Sequence, residues 1–369
     1  MRSSLAFCLD ASPAPWARAQ VSHDRQALRD AVAWTVELAR IGDRAGVESL
    51  WVIEDPDGWD AFGVLGAVAR QTERIRLGTG VTNPFYRHPS LIAASVATLD
   101  LLSDGRAFLG LGRGQDEWYG IAMGMPLGRP VRRLIETFDL LRQWWSPDLR
   151  ATSPSGATEF ALRGWERTFR PVQPHLPIYL AAVGPIALRI AGQHADGVLF
   201  NDLASREYMR DAIARVRQAA VEAGRDPAHL VFAARAAVTI TDDPEPIYEQ
   251  RKSTVAMIHA LPGMHRLLQA EGYDIDRIIA DVRAAMRTDE ILARGGGFGD
   301  LRRGGDLEAA RRAIPTALMR ELVVAGPLPE VRARLRQMQA LGITHVFLAA
   351  PRPGTTAEAL GDLVSSLRA

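Results

Sequence analysis

Acidic residues gather at the point where a short apolar run of this sequence ends. Glu54 and Asp55 directly follow the run at residues 50–53, with Asp57 and Trp59 close behind. Carboxylates beside a proline and an aromatic ring are suited to general acid/base chemistry. A solvated loop in which Asp57 begins a turn or a helix is the structural alternative. Glu54 and Asp55 are therefore candidate catalytic residues.

Glycines interrupt the next two apolar runs, at residues 75–81 and 107–112. Glycine inside a buried strand predicts a bulge or a close approach of a ligand to the backbone, and a tight corner of the sheet is the alternative. The alternating glycines of the second run do not match the dinucleotide-binding pattern, which needs two residues between its second and third glycines. Polar residues continue both runs: Thr82 and Asn83 after the first, and Arg113, Gln115, Asp116 and Glu117 after the second.

A further apolar run, at residues 178–183, leads into Gly184 and Pro185 and then into a segment with helical spacing. Proline favours the first position of a helix, and the exposed N–H groups of a helix start are a good site for phosphate. Because a helix start needs no ligand, the spacing alone leaves both interpretations open.

The composition argues against several classes of function. Lys and Arg number 44 against 43 Asp and Glu, without a dense basic stripe, so nucleic-acid binding is not expected. The histidines show no metal-ligand spacing, and a single cysteine, Cys8, cannot form a disulfide or a cysteine-based zinc site within one chain. The motifs of serine hydrolases and P-loop NTPases are missing. The one lysine, Lys252, is expected at the surface.

No stretch of the sequence reaches 18 apolar residues, and the first 30 residues lack the pattern of a signal peptide. We therefore expect a cytoplasmic protein without a membrane segment.

The elements that must position these residues alternate between apolar runs and amphipathic segments. Continuous apolar runs predict buried parallel strands, and eight strand–helix repeats predict a (β/α)8, or TIM, barrel, with an open doubly wound sheet as the alternative. We expect a single domain over residues 1–369. The eight runs lie at residues 5–9, 50–53, 75–81, 107–112, 178–183, 197–200, 231–240 and 343–350.

Two connections are too long for a plain repeat and are expected to be insertions. The first, about residues 146–176, is rich in proline and glycine and predicts a hairpin around residues 158–170. The second and largest, about residues 242–326, lies between strands seven and eight and contains glycine-rich stretches. We expect a mobile lid or an interface element, with a disordered spacer as the alternative.

Several stretches together carry a family signature, at residues 72–84, 87–89, 105–114, 181–185, 195–198 and 323–326. They resemble the bacterial luciferase-like superfamily of flavin and deazaflavin oxidoreductases, and within it the branch typified by methylenetetrahydromethanopterin reductase. The resemblance implies a TIM barrel that binds coenzyme F420 and transfers a hydride between the deazaflavin C5 and a small organic substrate. It also implies a non-proline cis peptide behind the ring, here at Gly80–Val81.

The resemblance assigns the candidate residues to roles. It places Trp59, Asp116 and Glu117 on the substrate side and makes Gln115 a catalytic candidate beside Glu54 and Asp55. Members of the branch carry an Asp-His pair where this chain has Glu54-Asp55, and an acidic residue where it has Gln115. A glutamine cannot deliver a proton at neutral pH. The implied cofactor-binding residues are Thr79, Gly80, Val81, Thr82, Asn83 and Arg113 at the ring, and Ala182, Val183, Gly184 and Pro185 at the phosphate.

Two other functions are compatible with the same fold. An FMN-dependent monooxygenase would need O₂ and a separate flavin reductase, and a non-catalytic flavin-binding protein would need neither. The superfamily often dimerises, and the apolar segments at residues 93–102 and 134–145 are candidates for a homodimer interface.

Overall fold

Eight parallel strands close into a barrel in the order of the chain. The computed structural model describes residues 5–11, 24–54 and 58–368. The strands are β1 (Ala6–Ala11), β2 (Ser49–Val52), β3 (Arg76–Thr79), β4 (Ala107–Leu111), β5 (Ile178–Ala181), β6 (Gly197–Phe200), β7 (Val231–Ile240) and β8 (His345–Leu348). β1 pairs with both β2 and β8, and β6 pairs with β7, so the ring is complete. The predicted (β/α)8 barrel is confirmed, and the doubly wound alternative is wrong.

The helices surround the barrel or form the long insertion after β7. In chain order they are α1 (Arg25–Arg44), α2 (Ala61–Ala69), α3 (Pro89–Leu102), α4 (Pro130–Trp144), α5 (Pro185–His194), α6 (Arg206–Glu222), α7 (Glu245–Thr254), α8 (Ile275–Met286), α9 (Thr288–Ala293), α10 (Phe298–Gly304), α11 (Leu307–Ala313), α12 (Thr316–Leu322), α13 (Leu328–Leu341) and α14 (Ala357–Arg368). Local capping explains several starts: the side chains of Asp24, His88 and Ser205 accept backbone N–H groups at the beginnings of α1, α3 and α6.

Aromatic side chains fill the interior of the barrel. The Trp51 ring lies 4.4 Å from Phe108, 5.4 Å from Tyr179 and 5.5 Å from Phe347, measured between ring centroids. Cys8 lies in the same cluster and is fully buried. Because these residues come from different strands, their packing fixes the spacing of the strand ends above them.

The first insertion contains the expected hairpin at a shifted position. Arg150–Ala151 pairs antiparallel with Trp165–Glu166, so the hairpin starts earlier than residues 158–170. Glu136 on α4 orders part of the loop between these two segments, because its carboxylate accepts hydrogen bonds from the N–H groups of Thr158, Glu159 and Phe160.

The second insertion is helical and has a core of its own. Helices α7 to α12 bury a second apolar cluster around Val255, Val282 and Leu318, and Met264 packs against both this cluster and that of the barrel. The glycine-rich stretch at residues 294–305 contains α10, so the disordered-spacer alternative is wrong. Lys252 also departs from its expected surface position, because it is buried and its ammonium lies 2.7 Å from the Glu249 carboxylate.

No helix in the described ranges is long and apolar enough to cross a membrane. The same ranges contain no group of three or more His, Cys, Asp or Glu side chains placed to hold a metal ion.

Candidate active site

The segment that follows β3 forms one side of the barrel mouth, and we call residues 80–83 the strand-3 wall. The Gly80–Val81 peptide is cis, as the family resemblance implies. Pairing with β4 shifts by one residue between Gly78↔Phe108 and Thr82↔Leu111, which is the predicted bulge.

Backbone hydrogen bonds tie the strand-3 wall to β4. The Thr82 N–H donates to the Gly110 carbonyl at 3.0 Å, and the Gly112 N–H donates to the Thr82 carbonyl at 2.8 Å. The Thr79 hydroxyl donates to the same Gly110 oxygen at 2.7 Å. A Cβ on Gly110 would lie 2.0 Å from the Thr79 carbonyl oxygen, and one on Gly112 would lie 2.6 Å from the Val81 side chain. The β4 glycines are therefore required by the neighbouring strand.

Glu54 lies behind the strand-3 wall with its carboxylate fully engaged. The Arg87 guanidinium contacts both of its oxygens, at 2.6 to 3.0 Å, and the Thr82 hydroxyl donates a short hydrogen bond to Oε2. Only 1% of the Glu54 side chain is exposed. Burial lowers the pKa of Arg87, but the hydrogen bonds that Arg87 donates to Glu54 and the charge of that carboxylate outweigh burial, so the pKa lies above its usual value. Glu54 thus holds Thr82 and Arg87 in place.

Asn83, the last residue of the strand-3 wall, and Gln115, in the segment after β4, differ in how their amides are used. The Asn83 oxygen accepts the N–H groups of Phe85 and Tyr86, and its nitrogen donates to the Tyr119 hydroxyl at 2.8 Å. Asn83 therefore builds the turn after the wall. The Gln115 Oε1 atom is buried and finds no hydrogen-bond donor in the described part of the chain. A buried amide oxygen in this state marks a place where a ligand can donate.

The remaining mouth candidates are more exposed. Arg113 and Asp116 form a loose ion pair at 3.5 Å, with 46% and 37% of their side chains exposed. Glu117 begins a π-helical turn, Glu117–Ala122. The Trp59 indole N–H donates to the Ile53 carbonyl at 2.9 Å, which fixes the ring beside the end of β2.

The loop between β5 and α5 is the one to which the family resemblance assigns the phosphate. Gly184 is the N-cap of α5, no side chain caps its N–H groups, and Pro185 occupies the first turn. A Cβ on Gly184 would meet no atom within 4 Å, so the space in front of the helix is open. The buried Tyr208 hydroxyl donates to the Val183 carbonyl at 2.7 Å and so supports the loop from α6. Ala182, before it, is buried.

Three further strand ends carry charged groups that the sequence analysis missed. Asp10 is the penultimate residue of β1, Arg235 lies in β7, and Asp202 follows β6, where the Arg251 guanidinium contacts it at 2.7 Å. Burial raises the pKa of the Asp10 carboxyl above its ordinary value, and the nearby Arg235 opposes that shift. His259, in the insertion, is fully buried, and burial lowers its pKa to about 4.

These omissions had visible signals in the sequence. Asp10 directly follows the first apolar run, and Asp202 follows the sixth, as Glu54 follows the second. Arg235 is the single charged residue in the run at residues 231–240. Asp55, by contrast, lies outside the described residues, so its catalytic role stays a prediction.

The family is decided by a comparison over most of the chain. The model of the luciferase-like monooxygenase family matches residues 12–345. The chain belongs to this family. Other members show which chemistries its barrel supports.

Relatives of this luciferase-like protein include reductases and a dehydrogenase. The 5,10-methylenetetrahydromethanopterin reductase of Methanolobus tindarius is 28% identical over 323 residues, which cover 87% of this chain and 91% of the relative. The coenzyme F420-dependent tetrahydromethanopterin reductase of Methanopyrus kandleri has a similar structure, with a TM-score of 0.72, 23% identity and 97% of both chains covered. An F420-dependent secondary alcohol dehydrogenase, solved with an F420–acetone adduct, gives a TM-score of 0.68 at 18% identity and covers 99% of this chain and 100% of its own.

Proposed function

We propose that this luciferase-like protein is an F420-dependent oxidoreductase acting on a small organic substrate. The relatives named as reductases and as F420-dependent enzymes support this proposal. Coenzyme F420, when bound, supplies a hydride donor and acceptor at C5 of its deazaflavin ring. The protein's own contribution is to hold the ring, bind the phosphate and move a proton.

The observation that carries the proposal is the unpartnered oxygen of Gln115. Its Oε1 atom is buried in the segment that follows β4 and can accept a ring N–H. Thr79, Gly80, Val81 and Thr82 would form the surface beneath the ring.

The two ends of the cofactor would meet different parts of the mouth. Arg113 is exposed and would lie near the ring edge. At the other end, the backbone around Ala182, Val183, Gly184 and Pro185 would receive the phosphate, because the N–H groups that begin α5 have no side-chain cap.

Asp10 is the strongest acid/base candidate among the described residues. The Glu54 carboxylate is occupied by Arg87 and Thr82, which favours a positioning role over proton transfer. Gln115 has no titratable proton. Asp10 is the penultimate residue of β1, and burial raises the pKa of its carboxyl above its ordinary value, which favours the protonated form needed for proton donation. Asp55 remains the second candidate, with Trp59, Asp116 and Glu117 on the substrate side.

The Gln115 contact can be tested by cofactor binding. Gln115→Leu keeps the size of the side chain and removes the acceptor, so affinity for F420 should fall about tenfold. Gln218→Leu, on the outer helix α6, is the control and should leave affinity unchanged. Equal affinity of Gln115→Leu and wild type would contradict the proposed contact.

An FMN-dependent monooxygenase with a separate flavin reductase is the alternative, because the matched family is named for monooxygenases. It would bind FMN in preference to F420 and consume O₂. A non-catalytic flavin-binding protein would bind a ring without turnover. The cytoplasmic location stays a prediction.

We also propose that the protein forms a homodimer through α2 and α3. Leu91, Leu101 and Leu102 of α3 are 49%, 59% and 37% exposed. Leu102 also lines a groove of about 230 Å³ between the two helices. The other candidate helix, α4, buries its apolar residues against the barrel. Sedimentation should give a dimer for wild type and a monomer for Leu101→Glu. Val221→Glu changes a matched exposed apolar site on α6 and should leave the dimer intact. A monomeric wild type would overturn the proposal.

A further inference from the structure

Arg235 reaches across the barrel mouth to the backbone of the strand-3 wall. Its Nη2 atom donates a hydrogen bond to the Gly80 carbonyl at 2.6 Å. The bond joins β7 to the end of β3, strands that are four places apart around the barrel. A hydrogen bond from a charged donor is about twice as strong as a neutral one. Arg235 thus adds a contact to the wall from the side opposite its β4 neighbour.

The guanidinium of Arg235 also lies close to an aromatic ring and a carboxylate. Its Cζ atom lies 5.5 Å from the centre of the Phe347 ring, and its Nε atom lies 4.0 Å from the Asp10 carboxylate. Only 11% of the side chain is exposed. A Cβ on Gly80 would lie 2.8 Å from Nη2, so a glycine at this position is what allows the contact.

We propose that Arg235 is a positioning residue, which fixes the Gly80 carbonyl by a hydrogen bond and acts on the nearby Asp10 carboxylate through its charge. The backbone contact is a property of the fold, whereas its effect on the cofactor rests on the proposed function. Arg235 would therefore link the surface beneath the ring to the group that handles the proton.

Loss of the guanidinium should change two properties. The strand-3 wall would lose a hydrogen bond, so affinity for F420 should fall about tenfold. Asp10 would lose a neighbouring cation and would still face the Asp202 carboxylate and the Arg251 guanidinium. The pH dependence of turnover assigned to Asp10 should therefore move to higher pH in Arg235→Gln, and should stay in place in Arg235→Lys, which keeps the charge.

Arg167, in the first insertion, provides a matched control. Its guanidinium also donates to one backbone carbonyl, that of Ser90, and lies over one aromatic ring, that of Trp144, at 4.8 Å. The Nε atoms of Arg167 and Arg235 are both buried, and neither finds an acceptor within the ranges that the structure describes. Arg167→Gln therefore removes the same kinds of contact from another place.

The test combines calorimetric binding of F420 with hydrogen exchange of the cofactor-free protein. Arg235→Gln should weaken binding and speed exchange of the backbone amides at residues 78–83, and Arg167→Gln should do neither. Unchanged exchange and unchanged affinity in Arg235→Gln would overturn the proposal. If wild type fails to bind F420, the proposed function fails, and the exchange result still decides the Gly80 contact. If Arg235→Gln does not fold, the exchange of Arg235→Lys decides: slower or equal exchange relative to wild type overturns the proposal, and faster exchange supports it.

Discussion

The carboxylate of Glu54 and the guanidinium of Arg87 form a buried two-point ion pair behind the strand-3 wall. Arg87 Nη2 lies 2.6 Å from Glu54 Oε1, and the side chains of Glu54 and Arg87 are 1% and 10% exposed. The pair also reaches Thr82, whose hydroxyl donates to the same carboxylate. A carboxylate that the sequence presents as a catalytic candidate is thus committed to holding the wall.

Glu54→Gln should destabilise the protein by about 3 kcal/mol, because it leaves the Arg87 charge buried without its main partner. Chemical denaturation measures this loss. Asp60→Asn is the control: Asp60 also contacts Arg87, at 2.9 Å, but its side chain is 61% exposed. Asparagine preserves the cap of α2, so this variant should change stability by less than about 1 kcal/mol. Equal stability losses in the two variants would contradict the account of Glu54.

Asp10→Asn should lower turnover far more than it lowers F420 affinity, because the amide keeps the shape and loses the titratable proton. In the direction that reduces substrate, Asp10 must be protonated to donate. Turnover of wild type should therefore fall as pH rises through the pKa of Asp10, which burial raises above its usual value. Steady-state rates across pH, with Asp55→Asn in parallel, show which carboxylate carries the proton. A pH profile unchanged in Asp10→Asn would remove Asp10 from that role.

Gly184→Ala should weaken F420 binding with little change in melting temperature, because the added methyl meets no protein atom within 4 Å but enters the space in front of α5. Gly297→Ala is matched, since Gly297 is also a helix N-cap with open space around its Cα. It should leave binding unchanged. Calorimetry with F420, and with the deazaflavin riboside that lacks the phosphate, separates the two ends of the cofactor. Equal weakening for both ligands would contradict a phosphate site at Gly184.

His259 should make the fold sensitive to mild acid. Burial lowers its pKa from 6.5 to about 4, so the unfolded chain takes up a proton first as pH falls. Stability from the neutral imidazole is present above pH 6.5 and is lost toward pH 4, with about 2 kcal/mol lost between pH 7 and pH 5. The free energy of unfolding, measured with urea, should be lower at pH 5 than at pH 7 in wild type. In His259→Gln that decrease should be smaller by about the same amount. The exposed His229, changed to Gln, should leave the difference as in wild type.

The sequence predicts the barrel because buried parallel strands leave continuous apolar runs. The eight runs match the eight strands, with ends that differ by a few residues, as at β8, which spans His345–Leu348 within the run at residues 343–350. The bulge after β3 is also predicted, because Gly78 and Gly80 interrupt a buried strand. The helical insertion is not, since glycines at residues 294–305 suggest flexibility, whereas the second apolar cluster that orders them is assembled from distant segments.

The site is predicted less completely, because proximity along the chain does not show which charges meet in space. Glu54 is identified, but its partner Arg87 lies 33 positions away, so the ion pair that decides its role is hidden. Arg235 is the single charged residue in an apolar run, and its hydrogen-bond acceptor, the Gly80 carbonyl, is 155 positions away. Asp10 follows the same rule as Glu54 and could have been found by applying that rule to every strand.

The most direct test of the central claim is calorimetric binding of F420 and FMN, in parallel, to the purified cofactor-free protein. The account predicts that F420 binds at least tenfold more tightly than FMN and that Gln115→Leu weakens the binding of F420. FMN binding that equals or exceeds F420 binding would contradict it and move the protein to the oxygen-dependent monooxygenases of its family.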